Sequence, residues 1–156
     1  MRDFTTLVER RTLEEIVQLQ NAVFGVAIDV VNRHQGVINQ FLGDGFMATF
    51  GAPVSSGDDC RNAVAAARSL VDEIKRLADA GRIPPIRIGV GLHAGDAVSG
   101  NVGSELRKQL NKRFGSQLLI SREVLRHCGD QAAGAKALGA VQVKGREDAV
   151  EIYRMA

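Results

Sequence analysis

Residues 39–53 read Asn-Gln-Phe-Leu-Gly-Asp-Gly-Phe-Met-Ala-Thr-Phe-Gly-Ala-Pro, placing the pair Asp44-Gly45 between two short apolar runs. Both residue types tolerate positive φ, so this pattern is a strong local signal for a two-stranded antiparallel hairpin. The alternation of Phe46, Ala48 and Phe50 against Met47 and Thr49 supports a strand with two distinct faces. Phe41-Leu42 and Phe46 to Phe50 are therefore expected as adjacent strands, with Asp44 at their turn. On these residues alone Asp44 has two possible jobs: to shape the turn, or to offer a carboxylate to a metal. The turn is the simpler of the two.

The sequence flanking the hairpin fits it into a mixed fold. Thr12-Leu13-Glu14-Glu15 is a capping box, in which the Thr hydroxyl accepts an orphan N–H and Glu15 reaches back. Behind it, Leu13, Ile16, Val17, Leu19, Val23, Phe24, Ala27, Ile28 and Val31 recur at helical steps, and Gly36 suits the helix's C-terminal cap. After the hairpin, Ser55-Ser56-Gly57-Asp58 leads into a second helix, whose face carries Ala63, Ala66, Ala67, Leu70, Val71, Ile74, Leu77 and Ala78. Pro84-Pro85 closes that segment. Ile86 to His93 alternates with period two, and Ala94-Gly95-Asp96 is expected to turn it into a partner strand over 97–102. Residues 105–116 read as a polar helix, Gln117 to Ile120 as a short strand, and Ser121 as the N-cap of another helix. Ala137 to Lys144 and Ala149 to Met155 form a closing hairpin. Together these elements predict one domain over 1–156, a ferredoxin-like α/β sandwich with helices packed on one face of a mainly antiparallel sheet.

Composition narrows the functional classes. A chain of 156 residues can bury a core without staples, so Cys60 and Cys128 suit a reducing, cytoplasmic setting rather than a disulfide framework. The formal net charge of +2, with scattered basic residues and no Trp, argues against a nucleic-acid partner. No run of about 18 apolar residues is present, so membrane contact by the chain itself is not expected.

Four stretches in order then resemble the class III nucleotide cyclase domain: Phe4 to Arg10, residues 39–53, Ile86 to Ser104, and Val143 to Tyr153. Each alone is a weak signal, and the four at compatible spacings make a specific one. The resemblance implies conversion of a nucleoside triphosphate, with ATP favoured over GTP, to a 3′,5′-cyclic nucleotide and pyrophosphate in signal transduction. It also implies two Mg²⁺ or Mn²⁺ ions, a head-to-tail homodimer with its sites between subunits, and fusion to sensor domains in a longer polypeptide.

Asp44 matches one of the family's two metal-binding aspartates, and hard oxygen ligands are what such ions require. For substrate binding the resemblance singles out Phe4, Thr5, Gln40, Gly43, Lys144 and Arg146. Phe4 and Thr5 match a phosphate-contacting turn near a helix start, whose bland reading is loop packing. Gln40 matches the position that reads the purine edge, and because its amide can donate or accept it does not select the base. Lys144 and Arg146 match a basic loop that reaches the polyphosphate, although hairpin tips are commonly charged in any case. His93 reads as structural.

Two departures from the family pattern bear on activity. The other metal aspartate precedes the Phe-Thr stretch in relatives, one place before Met1, and Asp3 is on the wrong side of that alignment. A segment of about fifteen residues that in relatives carries the transition-state Asn and Arg is absent near 109/110, where Gln109 runs directly into Leu110. Asn111 and Arg113 do not replace them, so no catalytic side chain is identified. The alternative reading is a degenerate cyclase-homology domain that binds nucleotide, or dimerises and regulates, without catalysis.

Overall fold

The computed structural model describes residues 1, 4–9, 11–95, 116–142 and 149–155. They form two compact units, Met1–Ile88 and Gly89–Ala156. The pairings are mainly antiparallel and the fold is α+β, as the sequence predicts.

The first unit runs α1 (Phe4–Val8), α2 (Leu13–Arg33), β1 (Gly36–Leu42), β2 (Gly45–Phe50) and α3 (Asp59–Asp79). The capping box at the start of α2 is formed: the Glu15 N–H donates to the Thr12 hydroxyl at 3.3 Å, and the Thr12 N–H donates to the Glu15 carboxylate at 2.9 Å. That N–H above all, helped by the Thr12 hydroxyl and Arg11, holds the Glu15 carboxyl below its ordinary value against the opposing effect of burial. The buried stripe of α2 is Ile16, Leu19, Val23, Ala27, Val30 and Val31, narrower than the apolar periodicity suggested. Leu13, Val17 and Ile28 belong to that periodicity yet remain exposed. On α3 the buried residues are Val64, Ala66, Ala67, Leu70 and Ile74, and the helix packs against α2. His34 Nε2 meets the Ser69 hydroxyl at 3.2 Å, and Arg33 donates to Glu73 at 2.8 Å, tying the two helices at their polar margin.

Gly25 lies mid-helix on the exposed side of α2, where an added Cβ would meet nothing within 4 Å. Gly25→Ala is therefore expected to stabilise the protein by about 0.5–1 kcal/mol, through helix propensity and a less disordered unfolded chain. Thermal melting checks it, and an unchanged or lower Tm contradicts it.

The helix ends differently from the sequence expectation. His34 is the C-cap and Gln35, not Gly36, takes the left-handed conformation, with φ 60°. Gly36 instead opens β1 beneath the Phe50 ring, where a Cβ would lie 2.5 Å from Phe50 Cε1 and 2.8 Å from Val31 Cγ1. It is glycine because two side chains occupy the space of its own.

The loop from β2 to α3 is fastened by Asp59 rather than by Asp58, the formal N-cap, whose side chain makes no capping bond. The Asp59 carboxylate accepts from the Ser55 hydroxyl, the Ser56 N–H and the Ser56 hydroxyl. The Ser55 bond first, then those from Ser56, hold the Asp59 carboxyl below its ordinary value. A carboxyl lowered in the folded state adds stability that is present above the unfolded pKa, about 3.9, and is lost as pH falls through the folded value. Asp59→Asn is thus expected to melt below wild type at pH 7, with the two converging below about pH 4. A gap independent of pH would show that the charge contributes nothing.

The second unit contains β3 (Val90–Leu92), β4 (Leu118–Ser121), α4 (Arg122–Cys128), a 3₁₀ turn at Gly129–Ala132, β5 (Lys136–Val141) and β6 (Val150–Met155). Its strands lie in the order β3-β4-β6-β5, with β3 and β4 parallel and the other pairs antiparallel. All four residues of β4 are buried, as befits a strand flanked on both edges. Ser121 ends β4 and caps α4, its hydroxyl accepting from the Val124 N–H at 3.5 Å, as expected. The strand expected over 86–93 is shorter, Val90–Leu92, and its described partner is β4. The return strand over 97–102, nearly all of the helix over 105–116, and the tip of the last hairpin lie outside the described residues. Cys60 and Cys128 are not joined in a disulfide. No helix among the described residues is long and apolar enough to cross a membrane.

Candidate functional site

The first hairpin is the element that carries most of the expected site residues. β1 and β2 pair antiparallel with Leu42 opposite Gly45, so the two loop residues are Gly43 and Asp44, not Asp44 and Gly45. Gly43 has φ +58°, whereas neither Asp44 nor Gly45 has positive φ. That is the arrangement of a Gly-X loop, with glycine in the first central position. The sequence locates Asp44 at the turn correctly but assigns the left-handed residue to the wrong glycine.

Within the hairpin the register shifts between Ile38 and Gln40, leaving Asn39 as the extra residue of a bulge. The bulge decides where Gln40 stands. It pairs with Met47, on the face carrying Val37 and Thr49, while Phe41 pairs with Phe46 on the other. That second face meets α2: the Phe41 ring centroid is 4.7 Å from Phe24 and 6.5 Å from Phe46. Gln40 is consequently exposed on the side of the hairpin away from α2. Without the bulge, alternation from Ile38 would turn Gln40 towards the helix. No local sequence signal marks Asn39 for this role.

Asp44 lies at the tip with its side chain only 11% exposed. Its Oδ2 is 2.8 Å, and its backbone carbonyl 3.0 Å, from the Met1 amino nitrogen. The carboxylate is thus mostly buried, with the Met1 nitrogen within hydrogen-bonding distance. As a hard oxygen donor on a short, tightly turned hairpin, it suits a divalent cation such as Mg²⁺. Among the described residues, however, no group of three His, Cys, Asp or Glu side chains is placed to hold a metal. One carboxylate fits the ion's chemistry, and the described residues do not complete a ligand set.

Phe4 and Thr5 open α1, so they do stand at a helix start, with the Thr5 carbonyl accepting from the Glu9 N–H at 3.2 Å. Lys144 and Arg146 lie outside the described residues. His93 follows β3, with Nδ1 3.9 Å from Glu123 Oε2. A groove of about 530 Å³ is lined by Val26, Asp29, Asn32, Arg33 and Glu73, and none of the expected site residues contributes to it. The fold therefore brings together Gln40, Gly43 and Asp44 on one hairpin.

Comparison with known proteins shows the family of the chain. Residues 1–115 match the model of the adenylate and guanylate cyclase catalytic domain. The chain is 32% identical to adenylate cyclase 1 of Rhizobium meliloti (strain 1021), over 98% of its own length and 26% of the relative's. It thus spans about a quarter of that curated relative. The alignment covers 172 positions, whereas 98% of 156 residues is about 153, so about 19 positions have no counterpart in this chain. Among solved structures, the guanylyl cyclase Cya2 is 32% identical with a TM-score of 0.74, covering 99% of this chain and 86% of that one. The adenylyl cyclase CyaB from P. aeruginosa is 25% identical with a TM-score of 0.80, covering 99% and 89%.

Proposed function

The chain belongs to the adenylate and guanylate cyclase catalytic-domain family, and from that membership we propose that it is a nucleotidyl cyclase. The substrate is a nucleoside triphosphate, with ATP favoured over GTP, and the products are the 3′,5′-cyclic nucleotide and pyrophosphate. The observation that carries this reading is Asp44, a mostly buried carboxylate at the tip of a hairpin fixed by Gly43, within the matched stretch.

In the reaction the 3′-oxygen loses its proton and bonds to the α-phosphorus, while the bond to the β-phosphate bridging oxygen breaks and pyrophosphate departs. Divalent ions, when bound, lower the pKa of the attacking hydroxyl and offset the phosphate charge. The chain's own contribution is positional. Asp44 supplies one hard ligand, and the hairpin limits its excursion because a two-residue loop leaves few backbone states. Gln40, turned outward by the bulge, presents its amide to the purine edge, and Gly43 bounds the site beside Asp44. Phe4 and Thr5 offer backbone N–H groups to phosphate, and Lys144 and Arg146 neutralise the polyphosphate. Metal and base are read by different subunits, so Asp44 and Gln40 of one hairpin serve two different sites, and the working unit is a head-to-tail homodimer. Cytoplasmic placement and attached sensor domains complete the proposal, in keeping with a chain spanning about a quarter of its relative.

A second reading has one specific observation in its favour. The total of about 19 positions without a counterpart is close in size to the segment of about fifteen residues expected to be missing near 109/110, and a domain without that segment would bind nucleotide and regulate without turnover. A single experiment separates the two. The purified protein is incubated with Mn²⁺ and either ATP or GTP, cyclic nucleotide is quantified by chromatography, and association is followed by sedimentation. A cyclase yields metal-dependent product whose specific rate rises with the dimer fraction. Nucleotide binding by a dimer that forms no product from either substrate overturns the enzyme reading and establishes the second.

A further inference from the structure

We draw no further inference here: the strongest candidate, the apolar stripe that Leu13, Val17 and Ile28 expose along α2 beside the half-exposed Phe41 and Leu42 of the hairpin, carries nothing because nothing in the structure shows what covers it.

Discussion

Asp44→Asn is expected to leave the fold intact and to lower metal-dependent cyclic-nucleotide formation by about two orders of magnitude or more. The hairpin should survive for a reason visible in its geometry. Gly43 alone carries the left-handed conformation, so the residue at 44 needs no positive φ, and asparagine suits turns. An amide oxygen can also still accept from the Met1 nitrogen that now lies 2.8 Å from Oδ2. What the substitution removes is the negative charge that would offset a divalent ion. Melting temperature and product formation, measured side by side in Mn²⁺ and ATP, separate the two roles of Asp44. A mutant as stable and as active as wild type would refute the metal assignment. A clear fall in Tm would show that the carboxylate is principally a structural anchor for the tip.

Gly36→Val is expected to destabilise the protein by about 1–3 kcal/mol, a fall in Tm on the order of 5 °C. Any Cβ at this position would overlap the Phe50 ring, at 2.5 Å from Cε1 and 2.7 Å from Cζ, and Val31 Cγ1 at 2.8 Å. Neither neighbour yields easily, since Val31 is buried on α2 and Phe50 is half-buried at the root of the hairpin. Phe50→Leu in the same chain vacates part of the ring's volume, so the double variant should lose less than the two single variants together. Strict additivity would mean that the contact at Gly36 is not what the glycine protects. Because β1 begins at Gly36, a displaced strand start should also be read out at the tip, as weaker metal-dependent activity.

Local patterns wrote the elements of this protein, and long-range contacts chose their details. Thr12 and Glu15 cap α2, Ser121 caps α4, and Asp44 lies at a hairpin turn, because each depends on neighbours within three or four residues. The family's matched stretch, too, is a property of residue order alone. Other features answer to residues distant in sequence. Gly36 reads as a helix cap but serves as a close-packing site, and Gln35 takes the left-handed turn, since Phe50, fourteen residues on, claims the space above Gly36. Asn39 forms a bulge that no propensity announces, and that one extra residue determines which face of the hairpin Gln40 occupies. Likewise Leu13, Val17 and Ile28 share the periodicity of the buried stripe yet stay exposed, because α3 and the hairpin cover only part of the apolar arc of α2. Sequence could name Gln40, Gly43 and Asp44; only the paired strands, their register set by side chains meeting across the hairpin and against α2, could say how those three residues are aimed.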